Sequence, residues 1–279
     1  MSIISDIISD MPPSSKPIIK AMRNTMNIVG LSGGKDSLAT CILMRALDIP
    51  FQTLTAEVWW KEGITGENPL HYDFFHEKAI PKLESWGVKC NLTRSKITAY
   101  EYMTTPIIKS TKHPERIGKL RGFPLCNKCG VQRDCKTRPC ERFYKENGNL
   151  VATVGIASDE KDRLITNASN NRISLLELLR VPEYMTFPIC ANEGLISPTY
   201  SFSERGGCWF CPNQKIQELE ILYRVFPHLW NELMEIQKMP NKLQEKFNRT
   251  QTLYDIESQI LHGVQIRANT GIFYGGQQI

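Results

Sequence analysis

The sequence predicts an α/β fold built on a mainly parallel sheet with helices on both faces. Three observations carry this expectation. Strand-like runs alternate with helix-period segments from residue 26 to residue 157. One junction, Met26-Asn-Ile-Val-Gly-Leu-Ser-Gly-Gly-Lys-Asp-Ser37, passes from a short apolar run through a tight polar loop into apolar residues at helical spacing. Leu150-Val-Ala-Thr-Val-Gly-Ile-Ala157 is an unbroken apolar run of strand length, as a central strand buried on both faces requires.

Taken in order, residues 1–25 are expected to form a small N-terminal helix and a Pro/Ser-rich linker. Residues 26–213 are expected to form the α/β domain with a cysteine cluster, and residues 214–279 a helical C-terminal extension. Phe51 to Trp60 predicts a second strand by its β-branched and aromatic content, and Gly63 to Asn68 a loop. Between Pro69 and Trp86, residues Phe74, Phe75, Ala79, Ile80 and Leu83 keep a helix period that Pro81 should kink. Val88 to Thr93 is a third strand; Tyr100 to Gly122 a helix and then a basic loop; Glu141 to Asn147 a short helix; and Ser174 to Leu179 a helical turn or two. Gln214 to Met239 is helical, with Leu219, Leu222, Leu229, Trp230, Leu233 and Ile236 on core-facing stripes. The end of the chain is Gly-rich and carries no motif.

At 279 residues the chain can bury a sizeable core. Apolar residues make up 41% and charged residues 23%, an ordinary balance for a globular protein. No apolar run approaches the roughly 20 residues that span a bilayer, and no secretory signal pattern opens the sequence, so a cytoplasmic protein without membrane contact is expected. The net charge of +5 is mild, apart from a cluster at Lys109, Lys112, Arg116, Lys119 and Arg121. That cluster suits phosphates of a nucleotide or nucleic acid, and equally a solvated surface loop. Nine cysteines in such a chain argue for metal or redox chemistry over a disulfide framework.

Three stretches carry chemistry. In Ser32-Gly-Gly-Lys-Asp-Ser37 the backbone N–H groups and the helix's positive end converge on one spot. Gly33 and Gly34 permit close approach, Lys35 adds a positive charge, and Ser32 and Ser37 add hydroxyls. This is a phosphate-binding loop, though not the common one of kinases and motor ATPases, which has Gly where Val29 stands and Ser or Thr where Asp36 stands. Gly155-Ile-Ala-Ser-Asp-Glu-Lys-Asp-Arg163 ends the apolar strand, so Asp159, Glu160 and Arg163 should emerge at the same sheet edge as the loop. The cysteines fall in two groups: Cys126-x-x-Cys129 followed by Cys135 and Cys140, and Gly207-Cys208-Trp-Phe-Cys211-Pro. Two C-x-x-C pairs can supply four thiolates to one metal or to an iron–sulfur cluster. Cys208 and Cys211 are one half, while Cys126, Cys129 and Cys135 compete for the other; Cys41 and Cys90 are expected in the core.

Ser32 to Ser37 resembles the pyrophosphate loop of the adenine nucleotide alpha hydrolase superfamily, and the order of all three stretches is similar to the phosphoadenosine phosphosulfate reductase family. The resemblance covers roughly Asn27 to Asn213. It implies an adenine nucleotide, ATP or an adenylyl sulfate, held by Ser32, Gly33, Gly34, Lys35, Asp36, Ser37, Gly155, Glu160 and Arg163, with Lys35 and Asp36 acting at the reacting phosphate and Mg2+ bound. Lys136, beside Cys135 and Pro139, looks like the family's middle-motif lysine, a further nucleotide contact. Ala157 departs from the family, many members of which carry Arg there. The cysteines resemble those that hold a four-iron cluster in adenylylsulfate reductases, with Zn2+ as the alternative; Gly207 to Pro212 also looks like the ATP-pyrophosphatase subunit of DNA phosphorothioation systems. The reaction implied is activation at the alpha phosphate with pyrophosphate release, served by a sulfur donor or thioredoxin-like partner. Reduction of a sulfonucleotide and a non-catalytic nucleotide- or nucleic-acid-binding role are the alternatives. No Cys follows Cys211, where the family's reductases carry a nucleophilic thiol.

Overall fold

The structure, a computed structural model, describes residues 3–126, 129–148, 150–168, 170–204, 206–263, 273–274 and 277–278. The Gly-rich end read from the sequence at 271–279 lies largely outside them. The chain forms two compact units that interleave in sequence. One comprises Met1–Glu57, Asn68–Ser95 and Lys136–Tyr200; the other comprises Val58–Glu67, Lys96–Cys135 and Ser201–Ile279.

The first unit holds the expected α/β layer structure. Its five-stranded sheet is parallel throughout: β1 (Asn27–Gly30), β2 (Phe51–Glu57), β3 (Cys90–Arg94), β4 (Val151–Val154) and β5 (Ile173–Ser174), in the order β3-β2-β1-β4-β5. The edge strand β5 was not evident in the sequence, where Ser174 opens a helical turn. Ser174 does both: it pairs with Val154 and caps the helix Leu175–Leu178, its hydroxyl oxygen accepting the N–H of Glu177. The order reverses at β1, so the chains leaving β1 and β4 depart in opposite directions, the arrangement at whose carboxyl edge open parallel sheets bind ligands.

The helix Lys35–Ala46 follows β1. It is buried on nearly every side from Ser37 to Met44, which is why its apolar residues run without a clean stripe. It packs against the helices Leu175–Leu178 and Glu183–Asn192, while Arg138–Glu146 lies on β2 and β3. The N-terminal residues join this core: Ile3–Ser9 and Lys16–Arg23 are helical, and Ile7, Ile19 and Met22 are buried in it. The kink at Pro81 takes the form of a π-turn, Phe75–Ala79, between the helices Pro69–Phe74 and Ile80–Ser85. Pro81 has no N–H to give to the preceding turn, and the wider turn absorbs that loss.

The second unit is built around Trp60, Trp209 and Phe210, all almost fully buried with ring centroids 4.7 to 5.5 Å apart. The expected strand from Phe51 to Trp60 therefore ends earlier, at Glu57. Trp59–Lys61 instead forms a hairpin with Ile64–Thr65, in the stretch expected to be loop, because the Trp60 ring belongs to this second core. The helical stretch from 214 to 239 is two helices, Ile216–Val225 and Pro227–Lys238, parted where Pro227 takes the first turn of the second. Among the described residues no helix is long and apolar enough to cross a membrane.

Gly155 sets how closely the end of β4 meets the start of the helix Lys35–Ala46. A Cβ there would lie 2.6 Å from the Asp36 carbonyl carbon, 2.7 Å from its oxygen and 2.7 Å from the Ser37 nitrogen, all backbone atoms that cannot rotate away. Gly155→Ala is accordingly expected to cost about 1–3 kcal/mol by overpacking. The check is a lowered urea midpoint with the m-value unchanged.

Candidate functional site

The loop after β1 is held from all sides by the first unit. Gly33 has φ +73°, a left-handed conformation open to glycine, and any Cβ on it would meet Phe75 at 2.7 Å and His71 at 3.0 Å. Ser37 Oγ donates to the Gly34 carbonyl at 2.9 Å and lies 3.2 Å from Ser32 Oγ, so the two serines fold the loop onto itself. The N-cap residue Gly34 offers no side chain to the helix. Instead the Gly34 N–H donates to Ser32 Oγ at 3.3 Å, and the Lys35 N–H to the phenol oxygen of Tyr200 at 2.9 Å.

His71 braces the loop from below. It is buried, and its Nε2 lies 2.9 Å from the Ser32 carbonyl oxygen, which can only accept; Nε2 therefore carries a proton. Its Nδ1 lies 3.0 Å from Ser197 Oγ, which in turn is 2.9 Å from Thr199 Oγ1. The imidazole thus ties the loop to the short helical turn Pro198–Ser201 that carries Tyr200.

The electrostatics centre on Lys35. Its ammonium donates to Glu183 Oε1 at 2.7 Å and Asp36 Oδ1 at 3.0 Å. Burial works against its charge, but the hydrogen bonds and charges of Glu183 and Asp36 outweigh it, and the pKa is raised. Asp36 Oδ1 also accepts from the Thr186 hydroxyl at 2.8 Å, and the Glu183 N–H donates to Asp159 Oδ1 at 3.0 Å. Beneath the loop, Cys190 Sγ lies 3.1 Å from the Lys35 carbonyl oxygen, and its thiol donates to it. Burial, with the Asp36 charge second, pushes that thiol up to about 12.

Of the residues predicted from sequence, Ser32 to Ser37 and Gly155 are brought into direct contact. Asp159 joins them through Glu183. Glu160 pairs with Arg163 and accepts the Ala157 N–H at 3.1 Å, so these two residues shape the turn after β4. Lys136 lies on the turn Gln132–Thr137, where its charge is felt at the Cys140 thiol. Sequence reasoning missed His71, Glu183, Thr186 and Tyr200 as site residues. Each lies far along the chain from the loop, and no local pattern marks it.

No protein-family model matches the chain, and no curated protein does.

The cysteines behave differently from one another. Cys135 is buried in the second unit's core, with its thiol directed at the Ile97 carbonyl 3.7 Å away. Cys126, Cys129, Cys208 and Cys211 are all half-buried. Cys126 Sγ lies 3.9 Å from the Pro212 carbonyl oxygen, and the Cys126 carbonyl accepts from Asn213 at 2.8 Å, so the loop carrying Cys126 abuts the one carrying Cys211. The Cys211 N–H donates to the Cys208 carbonyl at 3.1 Å, turning that loop back on itself. Among the described residues, no group of three or more His, Cys, Asp or Glu is gathered as a metal would require. The cysteine thiolate is a donor type suited to a thiophilic metal, but these thiols are not gathered round one point.

Two outcomes are expected here. His71→Ala removes a buried donor and leaves Ser197 and the Ser32 carbonyl short of a partner, lowering stability by about 1–3 kcal/mol in chemical unfolding. Cys190 binds its proton more tightly folded than unfolded, so its contribution to stability is present below its ordinary pKa and is lost as pH climbs toward about 12. At pH 8 iodoacetamide should leave Cys190 unlabelled in folded protein and label it in urea, read by peptide mass mapping.

Proposed function

We propose that this chain binds ATP and cleaves it at the alpha phosphate, transferring the adenylyl group to an acceptor and releasing pyrophosphate, as an alpha hydrolase of the phosphoadenosine phosphosulfate reductase type. One observation carries the reading: the Ser32–Ser37 loop lies where the strand order reverses, with Gly155 at the end of β4 pressed against its backbone. Dinucleotide and nucleotide phosphates bind at this place in open parallel sheets.

In the proposed reaction an acceptor oxygen or sulfur attacks the alpha phosphorus and the bond to the beta-phosphate oxygen breaks. Pyrophosphate leaves with the electron pair. The Lys35 ammonium, the Ser32 hydroxyl and the positive start of the helix Lys35–Ala46 would stabilise that leaving charge as it grows, while the Gly34 and Lys35 N–H groups and the Ser37 hydroxyl keep the loop in shape through Ser32, Tyr200 and the Gly34 carbonyl. Lys35 must exchange Glu183 for phosphate, which the exposed Glu183 side chain permits. Tyr200 contributes as well. Its oxygen already accepts the Lys35 N–H, so its own proton is directed elsewhere and can be given to a phosphate oxygen. Asp36 and Glu183 are carboxylates flanking Lys35, a hard-oxygen donor set that fits Mg2+ carried by the triphosphate. Lys136, Glu160 and Arg163 are proposed as outer contacts to the nucleotide.

We also propose that Cys126, Cys129, Cys208 and Cys211 hold Zn2+ or a four-iron cluster, with Cys135 left out because its thiol is spent in the core. Bound there, a metal would clamp two loops, and a cluster would add electron or sulfur chemistry. A sulfonucleotide reductase is the weaker reading, since it needs an accessible thiolate. Cys135 and Cys190 are buried, and Cys190 is held protonated.

Incubation with ATP and Mg2+, alone and with candidate acceptors, should release pyrophosphate. Lys35→Ala should lower that rate by about 10²–10³-fold, in the range of a lost transition-state donor, and Tyr200→Phe should lower it by less. Absence of both pyrophosphate and nucleotide binding across all acceptors would overturn the assignment. Anaerobically purified protein should contain iron with absorption near 400 nm or one zinc, and Cys208→Ser should lose it while Cys135→Ser keeps it; metal analysis decides.

A further inference from the structure

The second unit contains a pocket of about 450 Å3 that the proposed reaction does not use. Among the described residues its charged lining is Lys109, Arg116, Arg121 and Arg133, with no Asp or Glu. Two of these cations have local counter-charges: Arg133 forms a two-point pair with Asp134, and Arg116 lies 3.7 Å from Glu115. Among the described residues Lys109 and Arg121 have no carboxylate within ion-pair distance. Arg121 is oriented instead by stacking. Its guanidinium lies 4.9 Å from the Tyr102 ring centroid and donates weakly to the Tyr102 and Thr105 carbonyls, at 3.3 and 3.4 Å. That leaves a flat cation fixed on an aromatic ring, with most of its donor fork unspent.

The pocket is built to keep this arrangement. The Tyr102 hydroxyl occupies the place where a Cβ on Gly130 would stand, 1.7 Å away, so Gly130 makes room for the ring that carries Arg121. The loop bearing Lys109 is tied to its own return: Gly118 donates to the Ile107 carbonyl at 2.8 Å, and Ile107 to the Lys119 carbonyl at 3.0 Å. Leu120–Gly122 then pairs with Lys242–Gln244, which brings Leu243 and Gln244 into the lining. The basic cluster at 109–121 is therefore held in a folded hairpin-like loop.

The lining is apolar as well as basic: Leu125 is 52% exposed and Leu243 38%, and Ile108, between the lining residues Ile107 and Lys109, is 89% exposed. Lys112 and Lys119 extend the positive charge along the same loop outside the pocket. A free small anion would engage one or two of these cations and leave the apolar lining in water. A duplex keeps its bases stacked and presents no unit to enter a recess of this size. A single strand can do both: its backbone follows several cations while one base turns inward against Arg121 and the apolar lining.

We propose that this pocket is a binding site for single-stranded nucleic acid, separate from the Ser32–Ser37 loop, with Lys109 and Arg121 gripping phosphates and the Arg121–Tyr102 stack receiving a base. The site requires no nucleotide at the first unit and does not rest on the reaction proposed above.

The test is fluorescence anisotropy of the full-length protein with a labelled 20-mer of deoxythymidine across a salt series. Wild type should bind, with log K falling linearly against log salt at about 0.7 per phosphate engaged. Lys109→Glu/Arg121→Glu should weaken binding at least tenfold and flatten the slope by about 1.4. Lys35→Ala should bind the oligonucleotide as wild type does, which separates this site from the ATP loop. Thermal melting checks that the double variant is folded; if it is not, Lys109→Gln/Arg116→Gln, both on exposed side chains, takes its place with the same expected direction. Unchanged affinity in a folded charge variant, no binding at 50 mM salt, or loss of oligonucleotide binding in Lys35→Ala would each overturn the proposal.

Discussion

The closest constraint in the first unit is between two pieces of backbone: the start of the helix Lys35–Ala46 and the residue that ends β4. Strand order makes this approach possible, because β1 and β4 are neighbours and their following chains diverge. Glycine makes it tight. With any side chain at position 155 the helix start would have to move, and the positions of Gly34, Lys35 and Asp36 would move with it. The loop's shape is therefore set as much from β4 as from its own sequence.

A second set of contacts fixes the loop from the other side. His71 holds the Ser32 carbonyl and reaches Ser197, and Tyr200, three residues beyond Ser197, holds the Lys35 N–H. Both ends of the loop are thus pinned by one buried network whose members come from two distant segments. Such a network costs little when complete and much when broken, because each remaining polar group is left in a low-dielectric interior without water. The network holds the loop rigid, and under the proposed reading that rigidity fixes the Lys35 ammonium and the helix start in advance, since charges that need no reorganisation stabilise a developing charge most effectively.

The parts of this architecture that were legible in the sequence are those encoded by local pattern. The junction at 26–37 shows in one window as apolar run, glycines and helix period, and the apolar run at 150–157 gives β4. The strand order is a long-range property, and nothing in any window states that β4 lies beside β1. The second strand stops at Glu57 because Trp60 belongs to another core, a division that residue composition cannot show. Cys135 and Cys129 look alike in sequence; only burial and the contact with the Ile97 carbonyl separate them. His71 and Tyr200 are a helix residue and a turn residue by every local sign, and they become site residues through tertiary contact alone. The basic cluster at 109–121 was visible as composition, but its folding into a walled recess depends on Gly130, Tyr102 and the pairing with Lys242–Gln244.

The charges around Lys35 bear on the form in which a nucleotide would bind under the proposed reading. One ammonium faces two carboxylates, Asp36 and Glu183, so without ligand the immediate site is electronegative by one charge. A bare triphosphate would meet Glu183 as a like charge and would have to win Lys35 from it. A triphosphate that arrives with a divalent cation meets the same carboxylates as ligands or counter-ions, and the repulsion becomes attraction. Glu183 is half exposed and can swing toward the cation, while Asp36 is held by Thr186 and stays. Under that reading one motion of the Glu183 side chain would both release Lys35 and bring a carboxylate to the ion, so phosphate binding would depend on the ion without any change in the sheet.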